Sequence, residues 1–175
     1  MSDESFEMML TGGHLNSLGR TVEVVEIVLA DPARLAELYA CYGSDDAVVR
    51  LRTSSGIKRI SRVKPEWLVP YIDRLLTEVA ALDQASAQWT LADLFATLAP
   101  LMSATQRNQA EAVLKRNLAN HTDWIVLNQT MKTLGAWAKE DAALRHWLVL
   151  HLERLSGDGR KSVAKTAQKT LNTLT

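Results

Sequence analysis

The sequence predicts an all-α chain, a right-handed α-solenoid (α-α superhelix) of about four helix pairs. Three observations carry that reading. Strand signals are missing: no Asn-Gly or Asp-Gly step joins two alternating runs, and only eight glycines occur, four of them before position 45. Apolar residues recur at helical spacing through most of the chain. One such pattern also returns four times in register, which is how a repeat array is written in sequence.

The pattern is clearest in "DDAVVRLRTSSGIKRISRV", where Val49, Thr53, Ile57 and Ile60 step by four, four and three and share one helix face. The same steps fit Thr90, Leu94, Leu98 and Leu101, then Val126, Thr130, Leu134 and Trp137, then Val163, Ala167, Leu171 and Leu174. The starts are separated by 41, 36 and 37 residues. Each interval is the length of a helix pair, and each holds a second amphipathic segment: "PYIDRLLTEVAAL", "ATQRNQAEAVLKRNLA" and "AALRHWLVLHLERL".

Taken in chain order, residues 1–20 form an acidic, Gly-containing lead-in, and residues 21–175 form one repeat domain. Helices are expected near 21–30, 32–42, 46–62, 66–81, 86–100, 104–119, 123–138, 141–155 and 160–173. Asp31-Pro32 supplies a cap and a first-turn proline to the second of these. Asp46 and Asp123 each stand three residues before a marked apolar position, where a short carboxylate satisfies free N–H groups. Pro70 is placed to open the helix of "PYIDRLLTEVAAL". "SGDGRKS" breaks the chain before the final helix.

Helix pairs of this length that cannot bury both faces alone stack into a solenoid. The "VVR" of Val48 to Arg50 after Asp46, and the "SVAKTAQKTL" of residues 162–171, look like the second helix of a HEAT repeat. Over about residues 30–175 the chain resembles HEAT or armadillo-like repeats. "GGHLNSLGRTVEVVEIVLADPARLAELYACYGSDDAVVRLR" is similar to the opening of small bacterial HEAT-repeat proteins, in its Gly19-Arg20 step, the "EVV" from Glu23 and the "VRLR" from Val49. The resemblance implies that the second helix of each pair lines a concave surface. That fold is a general scaffold and implies no activity of its own.

Charge and chemistry narrow the function classes. Net charge is zero, but residues 1–46 hold nine acids against Arg20 and Arg34, leaving about +7 on the remainder. Apolar runs fall short of the roughly 20 residues needed to span a bilayer. "MSDESFEMMLTGG" lacks the features of a secretory signal, so a cytoplasmic location is expected. Cys41, the only cysteine, reads as a buried and inert thiol. "TGGHLNSLGRT" lacks the lysine and hydroxyl placement of a phosphate loop and reads as a flexible lead-in packed on the first repeat. His146 and His151, five apart, diverge around a helix and do not form a metal pair. No nucleophile motif is present, and neither a metal nor another cofactor is expected. Among the tryptophans, Trp137 and Trp147 read as structural. Trp89 and Trp124 stand beside helix starts, with inter-helix packing the favoured role.

With the register fixed, Arg52, Asp93, Gln129 and Thr166 are equivalent, as are Ser55, Ala96, Lys132 and Lys169. These positions lie off the core phase. The candidate partner-binding residues are Arg52, Arg59, Gln129, Lys132, Lys165 and Lys169, on a mildly basic concave face. The expected role is a non-catalytic scaffold for a protein or peptide with an acidic surface. The alternative is a nucleic-acid-binding protein distantly similar to the HEAT-like alkylated-base DNA glycosylases, with Trp89 and Asp93 as the pair to test.

Overall fold

A computed structural model of the chain describes residues 4–175, and no strand occurs among the described residues. A short helix α1 (Phe6–Leu10) precedes α2 (Thr21–Ala30), α3 (Leu35–Ala40) and α4 (Ala47–Val63). Then come α5 (Ile72–Arg74), α6 (Ala85–Leu98), α7 (Ala104–Asn120), α8 (Trp124–Trp137), α9 (Ala142–Ser156) and α10 (Lys161–Leu174). All nine expected segments are helical, the one expected over 66–81 as a succession of 3-10, α and π turns, and several of them start at a side-chain cap. The Asp46 carboxylate accepts from the Val48 N–H at 2.8 Å, and Asp123 accepts from Ile125 and Val126. Asp141 does the same for Leu144. Ser103 and Gln106 form a reciprocal capping box at α7. Each cap of this kind contributes about 1 kcal/mol.

The even-numbered helices pack in succession: α2 on α4, α4 on α6, α6 on α8 and α8 on α10. The others flank them, α3 on α4, α7 on α6 and α8, and α9 on α8 and α10. The repeated apolar positions are the reason. Val49, Ile57 and Ile60, Leu94 and Leu98, Val126 and Leu134, and Val163 and Ala167 are all fully buried, and one cluster of apolar side chains runs from Phe6 to Ala167. Side-chain bonds to backbone recur at the same interval. Arg116 donates to the Ala80 carbonyl, Arg154 to Leu118, Arg160 to Thr122 and Gln84 to Ala47, spans of 36 to 38 residues. Three of these carbonyls, at Ala80, Leu118 and Thr122, lie at or just past the end of a helical segment, where carbonyls lack a helical partner; that of Ala47 lies in the first turn of α4.

Four details depart from expectation. Leu101 is 41% exposed, because Pro100 turns the chain after α6 ends at Leu98. Pro70 does not open a helix: residues Pro65–Tyr71 form a 3-10 stretch and α5 starts at Ile72. Beyond Arg74 the chain widens into a π turn, Leu75–Val79, in which the Ala80 N–H reaches back five residues to the Leu75 carbonyl. Trp124 is 50% exposed rather than packed between helices, since it stands at the first position of α8, on the rim. Trp137 and Trp147 do pack against the core, under the guanidinium of Arg107 and the ammonium of Lys115 respectively.

Residues 4–20 of the lead-in are packed against the first helices. Phe6, Met9 and Leu10 are buried, and the backbone from residue 10 to 17 wraps one side chain of α4. That side chain is Arg52, which is 1% exposed. Its guanidinium donates to the carbonyls of Leu10, Thr11, Gly12, His14 and Ser17. Gly12, Gly13 and Gly19 take φ of 72°, 74° and 52°, the left-handed values that let the loop turn its carbonyls inward.

Candidate functional site: a lysine-lined trough across three helices

Helices α6, α8 and α10 present one face of their polar sides to a continuous trough. Between α8 and α10 lies an open cavity of about 440 Å³, walled by Lys132, Lys139, Lys165 and Lys169. A second cavity of about 390 Å³ lies between α6 and α8 and shares Lys132 and Ala136 with the first. Its own walls include Asp93, Ala96, Gln129 and Thr133.

The register explains the lining. Lys132 and Ala136 are four apart on α8, as are Lys165 and Lys169 on α10, so each pair stacks on one face. The floor is narrow because α8 meets α10 through Gly135, where an added Cβ would stand 2.5 Å from Thr170 Cγ2. Thr170 and Thr173 donate their hydroxyl protons to the Thr166 and Thr170 carbonyls. The ammonium groups are therefore the chief donors facing this space.

Electrostatically the two compartments differ. Among the described residues, no carboxylate lines the α8–α10 cavity. In the α6–α8 cavity the Asp93 carboxylate is neutralised by Arg62 at 3.1 Å. The trough thus has a strongly positive end and a nearly neutral one, and a groove lined by one sign of charge attracts ligands of the other.

Of the six candidate residues, the structure brings four together: Gln129, Lys132, Lys165 and Lys169. Arg59 is exposed on α4 but lines neither cavity; Arg62, one turn on, reaches α6 instead. Arg52 requires a correction. Its register equivalents Asp93, Gln129 and Thr166 all line the trough, yet Arg52 itself is buried and fully bonded, because the segment from Leu10 to Ser17 folds across it. It cannot present its charge to a partner. Ser55, in the same helix, is half-buried and lines neither cavity. Lys139 joins the site from the turn after α8, beyond the reach of the repeat pattern.

The remaining chemistry-bearing groups lie elsewhere. Cys41 is buried, and burial pushes its thiol up to about 11, out of the reactive range. The His151 ring lies against Trp147 with centroids 4.1 Å apart, and burial followed by the Arg154 charge holds its pKa below the usual range. Among the described residues, no group of three or more His, Cys, Asp or Glu is arranged to hold a metal ion. No helix among them is long and apolar enough to cross a membrane. Comparison with protein-family models, curated proteins and solved structures finds no match.

Proposed function

We propose that the chain is a short right-handed α-solenoid of HEAT-like helix pairs. In this reading it acts as a non-catalytic cytoplasmic scaffold that holds an acidic polypeptide segment in the α6–α8–α10 trough. The solenoid reading draws support from the successive packing of α2, α4, α6, α8 and α10 and from side-chain bonds that recur every 36 to 38 residues. The binding reading is carried by one observation: four lysines wall one cavity that no carboxylate of the described residues lines. An acidic segment would supply the missing counter-charge.

The test is fluorescence anisotropy of a labelled Asp/Glu-rich peptide, against the wild type and a Lys132→Glu/Lys165→Glu/Lys169→Glu variant. All three side chains are exposed, so the fold should survive their reversal. Binding that weakens with salt and falls at least about tenfold in the variant supports the reading, tenfold being about 1.4 kcal/mol. Equal binding by both proteins sinks it. A labelled single-stranded oligonucleotide run in parallel would displace it in favour of nucleic acid if it bound more tightly than the peptide with a steeper salt slope.

A further inference from the structure

The chain divides its cations by type. It has twelve arginines and eight lysines. Eleven of the arginines are committed to structure. Arg20, Arg34, Arg62, Arg74 and Arg160 pair with carboxylates. Arg50, Arg52, Arg116, Arg145 and Arg154 donate to carbonyls. Arg107 lies over the Trp137 ring. Among the arginines of the described residues, Arg59 alone has no such contact. Among the lysines, Lys115 pairs with Glu111 and Lys64 lies over Trp67. Of the six that remain, four wall the α8–α10 cavity.

The number of cations at one place bears on the type of anion. A guanidinium is a planar fork that matches a carboxylate or a phosphate with two parallel bonds. An ammonium is a compact point charge with three donors on a flexible stem, and several can converge on a tetrahedral anion from different directions. A phosphate ester carries about 1.5 to 2 negative charges and three acceptor oxygens on one group. Four ammonium groups converging on one cavity suit that concentrated charge better than a row of single carboxylates. The neutral compartment beyond Lys132 gives the neighbouring residues of a peptide a place to lie, which a free phosphate ion would leave unused.

We infer that the segment held in the trough carries a phosphorylated serine or threonine, with the phosphate in the α8–α10 cavity and small neutral flanking residues over Ala96 and Ala136. This rests on the trough being a peptide site.

The experiment uses the full chain and three synthetic peptides that differ only at a central residue: phosphoserine, glutamate or serine. The phosphopeptide should bind at least about tenfold more tightly than the glutamate peptide, because the phosphate brings the larger charge. Its affinity should rise as pH passes through about 6, where the phosphate gains its second charge. Lys132→Gln and Lys169→Gln should each weaken it several-fold, while Lys58→Gln, outside the cavity, should not. Equal binding of the phosphoserine and glutamate peptides overturns the inference and leaves the acidic-peptide reading standing. Binding of none of the peptides, together with none of the Asp/Glu-rich probe, ends both. If inorganic phosphate competes at a concentration equal to the phosphopeptide's own Kd, the cavity is an anion site without peptide recognition, and the inference is again overturned.

Discussion

Arg52 and Gly19 fit against each other with no room between them: a Cβ at position 19 would stand 2.8 Å from the guanidinium carbon. The contact joins the loop before α2 to a helix in the core. A guanidinium inside the protein and bonded only to carbonyls exchanges hydration for five oriented dipoles, and the arrangement holds only while all of them stay in place. Arg52→Met leaves those carbonyls without their donor and should lower unfolding stability by about 2 to 3 kcal/mol. Urea denaturation measures the loss. Limited proteolysis should show cutting within residues 11–19 of the variant before the rest of the chain. If stability fell without new cleavage there, the segment would be held by something other than Arg52.

Gly19→Ala tests the same latch from the loop side. The left-handed φ disfavours any side chain there, and the added methyl meets the guanidinium rather than open space. A loss of about 1 to 2 kcal/mol is expected. Gly12 has a similar φ but no atom within 4 Å of its would-be Cβ, so Gly12→Ala should cost less. Equal losses at the two positions would assign the whole effect to backbone conformation and none to the contact with Arg52.

The close approach of α8 and α10 predicts a second steric effect. Gly135→Ala puts a methyl 2.5 Å from Thr170 Cγ2, and the helices must separate or Thr170 must turn away. Overpacking of this kind costs typically about 1 to 3 kcal/mol. Thr170→Ser removes the methyl it meets, so the double variant should recover most of the loss in a thermal melt. Failure of the serine to rescue would place the strain elsewhere on the α8–α10 contact.

Asp158 gives a pH dependence with a definite sign. Its carboxylate accepts from the Arg160 side chain and from the Arg160 N–H, and these bonds hold its pKa well below the usual carboxylate range. A folded-state pKa below the unfolded one means stabilisation that is present above about pH 4, the ordinary aspartate value, and is lost as pH falls through the folded pKa. Arg160 in turn donates to the Thr122 carbonyl, so protonation loosens the tie between the start of α10 and the loop before α8. Melting temperature followed from pH 7 to pH 2 should fall on the acid side, and the fall should be shallower in Asp158→Asn. Parallel curves would mean that this pair adds nothing to acid stability.

The helices were legible because burial imposes a period. Val49, Ile57 and Ile60 lie on one face, and the same spacing recurs at Val126 and Leu134 and at Val163 and Ala167. The caps were legible at Asp46 and Asp123, because a carboxylate there answers a local need of the backbone. The trough was legible in part. Lys132, Lys165 and Lys169 follow from phase alone, whereas Lys139 lies past the end of α8 and enters the cavity through the turn. Arg52 was in the expected register and in the wrong environment. Phase says which way a side chain points, but not whether a distant loop covers it. The loop that covers it carries no apolar periodicity, only three glycines whose use becomes clear once Arg52 is in place. The short helix α1 lay in the same segment and had too few residues to show a period.

The buried amide pair Gln88 and Asn117 shows the same principle as Arg52 without a charge. Gln88 is 3% exposed and donates from Nε2 to the Val79, Ala80 and Leu82 carbonyls at the end of the π turn. Its Oε1 accepts from Asn117 Nδ2 at 2.9 Å, which ties α6 to α7. A bond of this kind is worth only about 1 kcal/mol net, but a buried group that loses its partner also bears its desolvation cost, about 1 to 3 kcal/mol. Gln88→Leu should therefore cost about 2 to 4 kcal/mol, since it strands Asn117 and the carbonyls together. Asn117→Leu should cost less, because Gln88 keeps its carbonyls. Once Gln88 is gone, Asn117 has only a bond of 3.4 Å from Arg116 to hold it, so replacing it with leucine in the double variant should add little further loss. A double-mutant cycle by urea denaturation would then show a coupling of about 1 kcal/mol. Strict additivity would mean that the two amides act independently, and that α6 and α7 are joined by apolar packing alone.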